Sequence, residues 1–167
     1  MKNAFTDSEI EKLYTILEQV KDPEIPVLSI LDLGIVRKVT LEDNHVQIDI
    51  TPTYTACPAM GVIAMDLVQL LNTEGYHNVV INTVLSPAWT TDWMTESGKE
   101  KLKAYGIAAP HQKSKLDKLL FGEQEQIECP QCNSLDTKKI SEFGSTACKA
   151  LYQCNVCKEP FDYFKCH

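Results

Sequence analysis

Seven cysteines stand in this chain, and four of them fall as two C-x-x-C pairs, Cys129-Pro130-Gln131-Cys132 and Cys154-Asn155-Val156-Cys157. Each pair lets two sulfurs converge on one ion from a tight turn. The 21 residues between the pairs are enough for a β-hairpin that returns to the first turn. Four soft ligands arranged in this way suit a tetrahedral metal site of the zinc-ribbon kind. The segment is too short to fold on an apolar core alone, so metal binding would supply most of its folding free energy, on the order of 10 kcal/mol. Spacing does not choose the metal, because zinc and one rubredoxin-like iron both accept four thiolates. Zinc is redox-silent and iron is not, so the metal separates a docking ribbon from an electron carrier.

The other cysteines divide. Cys57, in Thr55-Ala56-Cys57-Pro58, stands at or just before the start of an apolar helical stretch, where Pro58 suits the first position. Orphan N–H groups and the helix dipole favour a negative sulfur there, which makes a thiolate more accessible than in a free cysteine. Ser86, Thr90 and Thr91, near a proline-containing loop, are candidates to line the same end. The plain alternative is a small buried residue packing a helix start. Cys148 lies six residues before Cys154 and would share its strand face; burial in the hairpin is the expectation. Cys166, beside His167, is expected to be a frayed terminal thiol. Either one could instead substitute for a thiolate in the metal site. Asp22, Glu24 and Asp32 invite an acid/base reading, against which a solvated acidic loop is the simpler expectation. There is no Ser-His-Asp set, P-loop, G-x-G-x-x-G or H-E-x-x-H, and His45, His77 and His111 are scattered.

These residues need a scaffold, and 167 residues at 44% hydrophobic content allow one ordinary domain plus a small module. The formal charge of −7 resides in residues 1–110, which carry 8 Lys/Arg against 15 Asp/Glu, while residues 128–167 are balanced at 5 against 5. No basic stripe is present, which argues against nucleic acid as a partner. No apolar run approaches membrane-spanning length, and Met1-Lys2-Asn3-Ala4-Phe5-Thr6-Asp7 has no signal-peptide character. A reducing cytoplasm without membrane attachment is the expected setting, and there C-x-x-C reads as metal or redox chemistry rather than a structural bridge.

The positioning elements can be read from pattern. Thr6 and Glu9 form a T-x-x-E capping box, and Ile10, Leu13, Tyr14, Leu17 and Val20 mark one helical face that Pro23 ends. Residues 35–41 read as a strand, residues 42–44 as a turn, and residues 45–51 as an alternating strand with Val46, Ile48 and Ile50 inward. Met60, Ile63, Ala64, Leu67, Leu70 and Leu71 mark a second helix ended by Gly75. Residues 78–85 form a third strand, and residues 91–105 a last helix stopped by Gly106. The order α-β-β-α-β-α predicts a two-layer α/β sandwich over residues 1–109. Residues 110–127 read as a linker with one apolar cluster, Leu116, Leu119, Leu120 and Phe121. Residues 128–167 form the four-cysteine zinc ribbon.

Four separated motifs, Asp22-Pro23-Glu24-Ile25-Pro26, Asp32-Leu33-Gly34-Ile35-Val36, Thr55-Ala56-Cys57-Pro58 and Ser86-Pro87-Ala88-Trp89, resemble the MIP18 family, also called domain of unknown function 59, over about residues 5–108. The resemblance implies an α/β fold and a part in iron–sulfur cluster assembly or delivery, with Cys57 at the family's motif cysteine. With Cys129-Pro130-Gln131-Cys132, Gly144-Ser145-Thr146-Ala147-Cys148-Lys149-Ala150-Leu151-Tyr152 and Pro160-Phe161-Asp162-Tyr163-Phe164-Lys165, nearly the whole chain resembles the D-subunit family of bacterial phenylacetyl-CoA epoxidase systems. There a di-iron oxygenase epoxidises the aromatic ring in phenylacetate catabolism, and a flavin and [2Fe–2S] reductase supplies electrons.

The implied role is an accessory subunit without catalytic activity of its own. Its implied partners are the oxygenase and reductase subunits or iron–sulfur assembly proteins, and a homodimer is left open. No carboxylate-rich E-x-x-H helical pair that could hold two irons is present. Three readings follow: a maturation factor acting through Cys57, with zinc at Cys129, Cys132, Cys154 and Cys157 and a transient iron–sulfur cluster; a redox subunit with iron at those four cysteines; or an interaction scaffold in which Cys57 is inert.

Overall fold

The computed structural model describes residues 7–42, 45–55, 57–110 and 127–165. The Thr6 cap, the tip of the 42–44 turn, the linker with its Leu116–Phe121 cluster, His111, Cys166 and His167 lie outside the described residues. The chain forms two compact units that divide between Gly98 and Lys99. The expected boundary lay further on, after residue 109.

In the first unit, helix α1 spans Asp7–Leu17, strand β1 Val36–Glu42, β2 His45–Ile50, α2 Ala59–Thr73 and β3 Asn78–Thr83. β1 and β2 form the antiparallel hairpin, and α2 is the crossover that sets β3 parallel to β2, giving a sheet in the order β1-β2-β3. Alternation along β2 works as read: Val46, Ile48 and Ile50 are fully buried, whereas His45, Gln47 and Asp49 are half-buried. On α2, Ala59, Ile63, Leu67 and Leu71 are buried and Met65 is exposed. On α1 the buried face is Leu13, Ile16 and Leu17, continued by Val20, and Tyr14 turns outward at 40% exposure. Tyr14 sits at the margin of the stripe, where its hydroxyl keeps access to water.

The loop that follows α1 is not the solvated acidic segment expected from its composition. Asp32 is 4% exposed. Its Oδ2 accepts the Ser29 N–H at 2.9 Å while Ser29 Oγ accepts the Asp32 N–H at 2.9 Å, and its Oδ1 accepts the Thr95 hydroxyl at 3.2 Å. A carboxylate that accepts this many hydrogen bonds can be buried. Trp89 of the fourth motif is also buried and donates its indole N–H to the Leu33 carbonyl at 2.9 Å. Two of the motifs are therefore tied to each other. The Ser86–Pro87 peptide bond in this loop is cis.

The last helix is shorter than expected. A 3₁₀ turn spans Thr91–Trp93, the backbone extends at Met94, and α3 begins at Glu96 and runs to Ala104. Thr95 breaks the run because its hydroxyl accepts the Gly98 N–H at 2.9 Å, the bond of an N-cap residue.

The second unit is a four-stranded sheet in the order β4-β7-β6-β5, with β4 at Ile107–Ala108, β5 at Thr137–Ser141, β6 at Lys149–Cys154 and β7 at Pro160–Phe164. A hairpin was expected; the observed sheet adds β7 antiparallel to β6 and the short β4 parallel to β7. Its core gathers Ala108, Ile127, Cys129, Ala150, Tyr152, Cys154, Phe161 and Tyr163. Tyr152 stacks on Phe161 and meets Tyr163 edge-on, with centroids 6.0 and 5.6 Å apart. Among the described residues no helix is long and apolar enough to cross a membrane.

Candidate metal centre and the Cys57 thiol

The two C-x-x-C turns have the same backbone geometry. Cys129 N–H donates to the Ser134 carbonyl at 2.9 Å, and Cys154 N–H donates to the Glu159 carbonyl at 3.0 Å. The residue after each second cysteine is left-handed, Asn133 at φ 59° and Lys158 at φ 67°. Asparagine tolerates this region and lysine seldom enters it, so the turn at Lys158 is imposed by its surroundings. A pair of bonds joins the two turns: Asn155 donates its N–H to the Asp136 carbonyl at 2.8 Å and its side-chain amide to Asp136 Oδ1 at 2.7 Å.

The turns bring the Sγ atoms of Cys129, Cys132, Cys154 and Cys157 within 4.8 Å of one another. Cys129 and Cys157 are 3.7 Å apart, and Cys132 and Cys154 are 3.5 Å apart. Four sulfurs about 2.3 Å from a central ion in a tetrahedron would lie about 3.8 Å apart. The set therefore fits one ion without rearrangement. Burial opposes ionisation of Cys154, yet the Cys157 and Val156 N–H groups and the Cys132 thiol bring it down to about 6. The Glu159 N–H favours a Cys157 thiolate, but burial and the three neighbouring sulfurs push this thiol up to about 12. One thiolate forms readily and the next resists, so four of them together require a cation.

Cys148 does not join this cluster. It is buried just before β6, with its Sγ 3.0 Å from the Thr146 hydroxyl. The residues before it fix a loop. Ser145 donates its hydroxyl to Asp162 Oδ2 at 2.6 Å and accepts Lys149 Nζ at 3.0 Å. A Cβ on Gly144 would fall 2.3 Å from Asp162 Oδ1, so only glycine lets the carboxylate approach. The Gly144-Ser145-Thr146-Ala147-Cys148-Lys149 motif thus anchors the β5–β6 connection to β7. Sequence reasoning did not assign it that role, and the Gly-Ser-Thr run before a strand was its one signal.

In the first unit Cys57 precedes α2, whose N-cap is Pro58, and its N–H donates to the Tyr54 carbonyl at 3.1 Å. The segment carrying Cys57 and the segment carrying Ser86 and Thr90 leave the same end of the sheet, since β2 and β3 run parallel and end together at Ile50 and Thr83. The expected activation of the thiol is reversed. Half-burial raises the Cys57 pKa, the N–H of Ala59 only partly offsets this, and the carboxylates of Glu24 and Asp22 raise it further. Burial is what outweighs the helix terminus, and the acidic loop, placed by Asp22 Oδ1 accepting the Glu24 and Ile25 N–H groups at 2.8 Å each, adds to it. Sequence pattern showed the helix start but not the carboxylates beside it.

Alkylation reads this sign directly. Cys57 should react more slowly than a free cysteine at neutral pH, and its rate should still climb at pH values where a free thiol has levelled off. Asp22→Asn and Glu24→Gln should each speed the reaction severalfold at pH 7.5. Buried Cys148 should stay unlabelled. A rate at pH 7 above that of a free thiol would contradict the electrostatic account.

Two family models match the chain. One, described as an iron–sulfur cluster assembly protein, covers residues 10–80, and the other, the PaaD zinc beta ribbon domain, covers residues 113–165. An Escherichia coli protein, named as the D subunit of a putative 1,2-phenylacetyl-CoA epoxidase, is 47% identical over 158 residues, 95% of this chain and 93% of that protein. A Porphyromonas gingivalis protein named as an Fe-S protein maturation auxiliary factor is 34% identical over 104 residues, 61% of this chain and 97% of that protein. A crystal structure from Bacillus anthracis, described as domain of unknown function DUF59, is 35% identical with a TM-score of 0.52, covering 55% of this chain and 89% of that one.

Proposed function

Since the chain belongs to the same family as the Escherichia coli epoxidase protein, we propose that it is an accessory, non-catalytic subunit of a phenylacetyl-CoA epoxidase system, acting in iron–sulfur cluster assembly for that system. The family model on the first unit and the maturation-factor relative support the assembly role. The observation that carries it to a residue is Cys57. This thiol stands at the open end of the sheet with two carboxylates beside it, held protonated until something displaces the proton. Cationic iron is the cargo that such a group would take up. Asp22 and Glu24 attract the cation, and the thiol yields its proton as the sulfur ligates. Cys129, Cys132, Cys154 and Cys157 would hold one zinc ion as the fold-determining centre of the ribbon, which serves as the docking module. The four-sulfur set and the zinc-ribbon match support zinc.

The test is made in cells. With Cys57→Ser replacing the native protein, the epoxidase's reductase is purified and its cluster iron counted. Iron content should fall severalfold while the Cys57→Ser protein stays folded and metal-loaded. Normal cluster iron together with lost epoxidation would defeat the assembly reading and favour a role inside the working complex. Normal iron and normal epoxidation would make Cys57 a packing residue.

A further inference from the structure

A strand at the edge of a sheet presents unpaired N–H and C=O groups, and soluble proteins blunt such edges with charge, proline, bulges or brevity. The described edges of this protein follow that rule with one exception. β1 carries Arg37, Lys38 and Glu42 and a register shift between Val36 and Lys38. β5 carries Lys138 and Lys139 and a shift between Lys139 and Ser141. β4 has two residues. β3, Asn-Val-Val-Ile-Asn-Thr, has no charge and no proline, and its pairing with β2 is unbroken from Asn78 to Thr83.

The surface beside this edge is of the same character. Ala64, Met65, Val68, Gln69, Asn72 and Thr73 of α2 line an open trough with Ile81 of β3. None of them is charged. Met65 is 73% exposed on this face, and Val80, 38% exposed, stands on the other face of the same edge strand, beside Gln47. This uncharged strip sits on a strongly acidic unit, since residues 1–98 carry 5 Lys/Arg against 14 Asp/Glu.

We propose that the β3 edge and the adjoining strip of α2 form a self-association surface, through which two copies pair antiparallel into one six-stranded sheet. Two-fold symmetry makes such an edge self-complementary, because each donor on β3 meets an acceptor of the second β3. Ile81 and Met65 then approach their own counterparts across the axis. Charge favours this occupant: a basic partner would find no carboxylate on the strip, and a second acidic copy meets no like charge there.

The strip is roughly 20 Å long, the length of six extended residues, and about one strand-to-helix layer wide. That is less than the ~800 Å² per partner of a stable complex. The dimer should therefore be weak and transient. Repulsion between the acidic bodies opposes it, so salt should strengthen it.

Sedimentation velocity on the full-length, metal-loaded chain tests this. The weight-average mass should rise from 18.8 kDa toward twice that value with concentration, and at lower concentration when salt is raised from about 0.05 to about 0.5 M. Met65→Glu and Val80→Lys, both at exposed positions, should each weaken association at least tenfold with unchanged circular dichroism. A wild-type mass that stays monomeric to millimolar concentration would overturn the proposal. So would a dimer indifferent to both substitutions, or one that dissociates as salt is added.

Discussion

Cys132→Ser is expected to unfold the second unit while the first keeps its structure. Cys132 is the exposed member of the four-sulfur set, so the substitution leaves no cavity, and its effect comes through the ion. Among the described residues, the cluster beneath gathers eight residues around three aromatic rings, too small to hold four short strands against their conformational entropy. Binding of a four-thiolate metal contributes on the order of 10 kcal/mol, and loss of a ligand removes much of it.

Hydrogen exchange should show β5, β6 and β7 losing protection together, with β1, β2 and β3 unchanged. A strong chelator should produce the same pattern in the wild-type protein. Cys148→Ser is the control: this thiol meets Thr146 and not the ion, so metal should stay bound with a cost of about 1–2 kcal/mol. Retention of one tightly bound ion and of strand protection in Cys132→Ser would overturn the four-ligand assignment.

The two units differ in how far their sequence discloses them. In the ribbon, residue type and spacing act locally: a C-x-x-C turn is complete within six residues, and both turns appear with matching bonds. The same holds for β2, where period-two alternation coincides with burial, and for α2, where Ile63, Leu67 and Leu71 repeat at helical spacing.

What pattern could not show depends on contacts distant in sequence. Asp32 reads as a surface carboxylate until Thr95, 63 residues away, and Ser29 are seen to satisfy it. The Cys57 thiol reads as activated because the helix start is local, whereas the burial that reverses the sign arises from packing, and the loop carboxylates that add to it lie more than thirty residues earlier in the chain. β4 is two residues long and has no pattern of its own; β7 defines it. Whether β3 was an edge strand could not be decided before the parallel crossover was known.

Gly34→Ala should be among the most damaging single substitutions in the first unit. Gly34 combines two demands that only glycine meets. Its φ of +66° lies in the left-handed region, which costs a residue with a Cβ about 1–2 kcal/mol. An added Cβ would also fall 2.0 Å from the Trp93 carbonyl oxygen and 2.8 Å from Trp93 Cβ. The first of these is a backbone atom, so no side-chain rotation relieves the clash. One side or the other must move, and overpacking of this kind costs a further 1–3 kcal/mol or so.

The movement would disturb more than one contact. The Arg37 guanidinium lies 3.4 Å from the Trp93 ring centroid, and the neighbouring Leu33 carbonyl accepts the Trp89 indole. A total near 2–5 kcal/mol corresponds to a fall in Tm of roughly 8 °C or more for a unit of this size.

Gly61 supplies the contrast. It lies inside α2, and a Cβ there would meet nothing within 4 Å. Gly61→Ala should therefore raise stability by about 0.5–1 kcal/mol, since glycine in a helix interior costs that much relative to alanine. Thermal unfolding of the two variants, followed by a signal from the first unit, should move in opposite directions. If Gly34→Ala melts with the wild type, the close approach of the 32–36 loop to Trp93 does not hold the unit together.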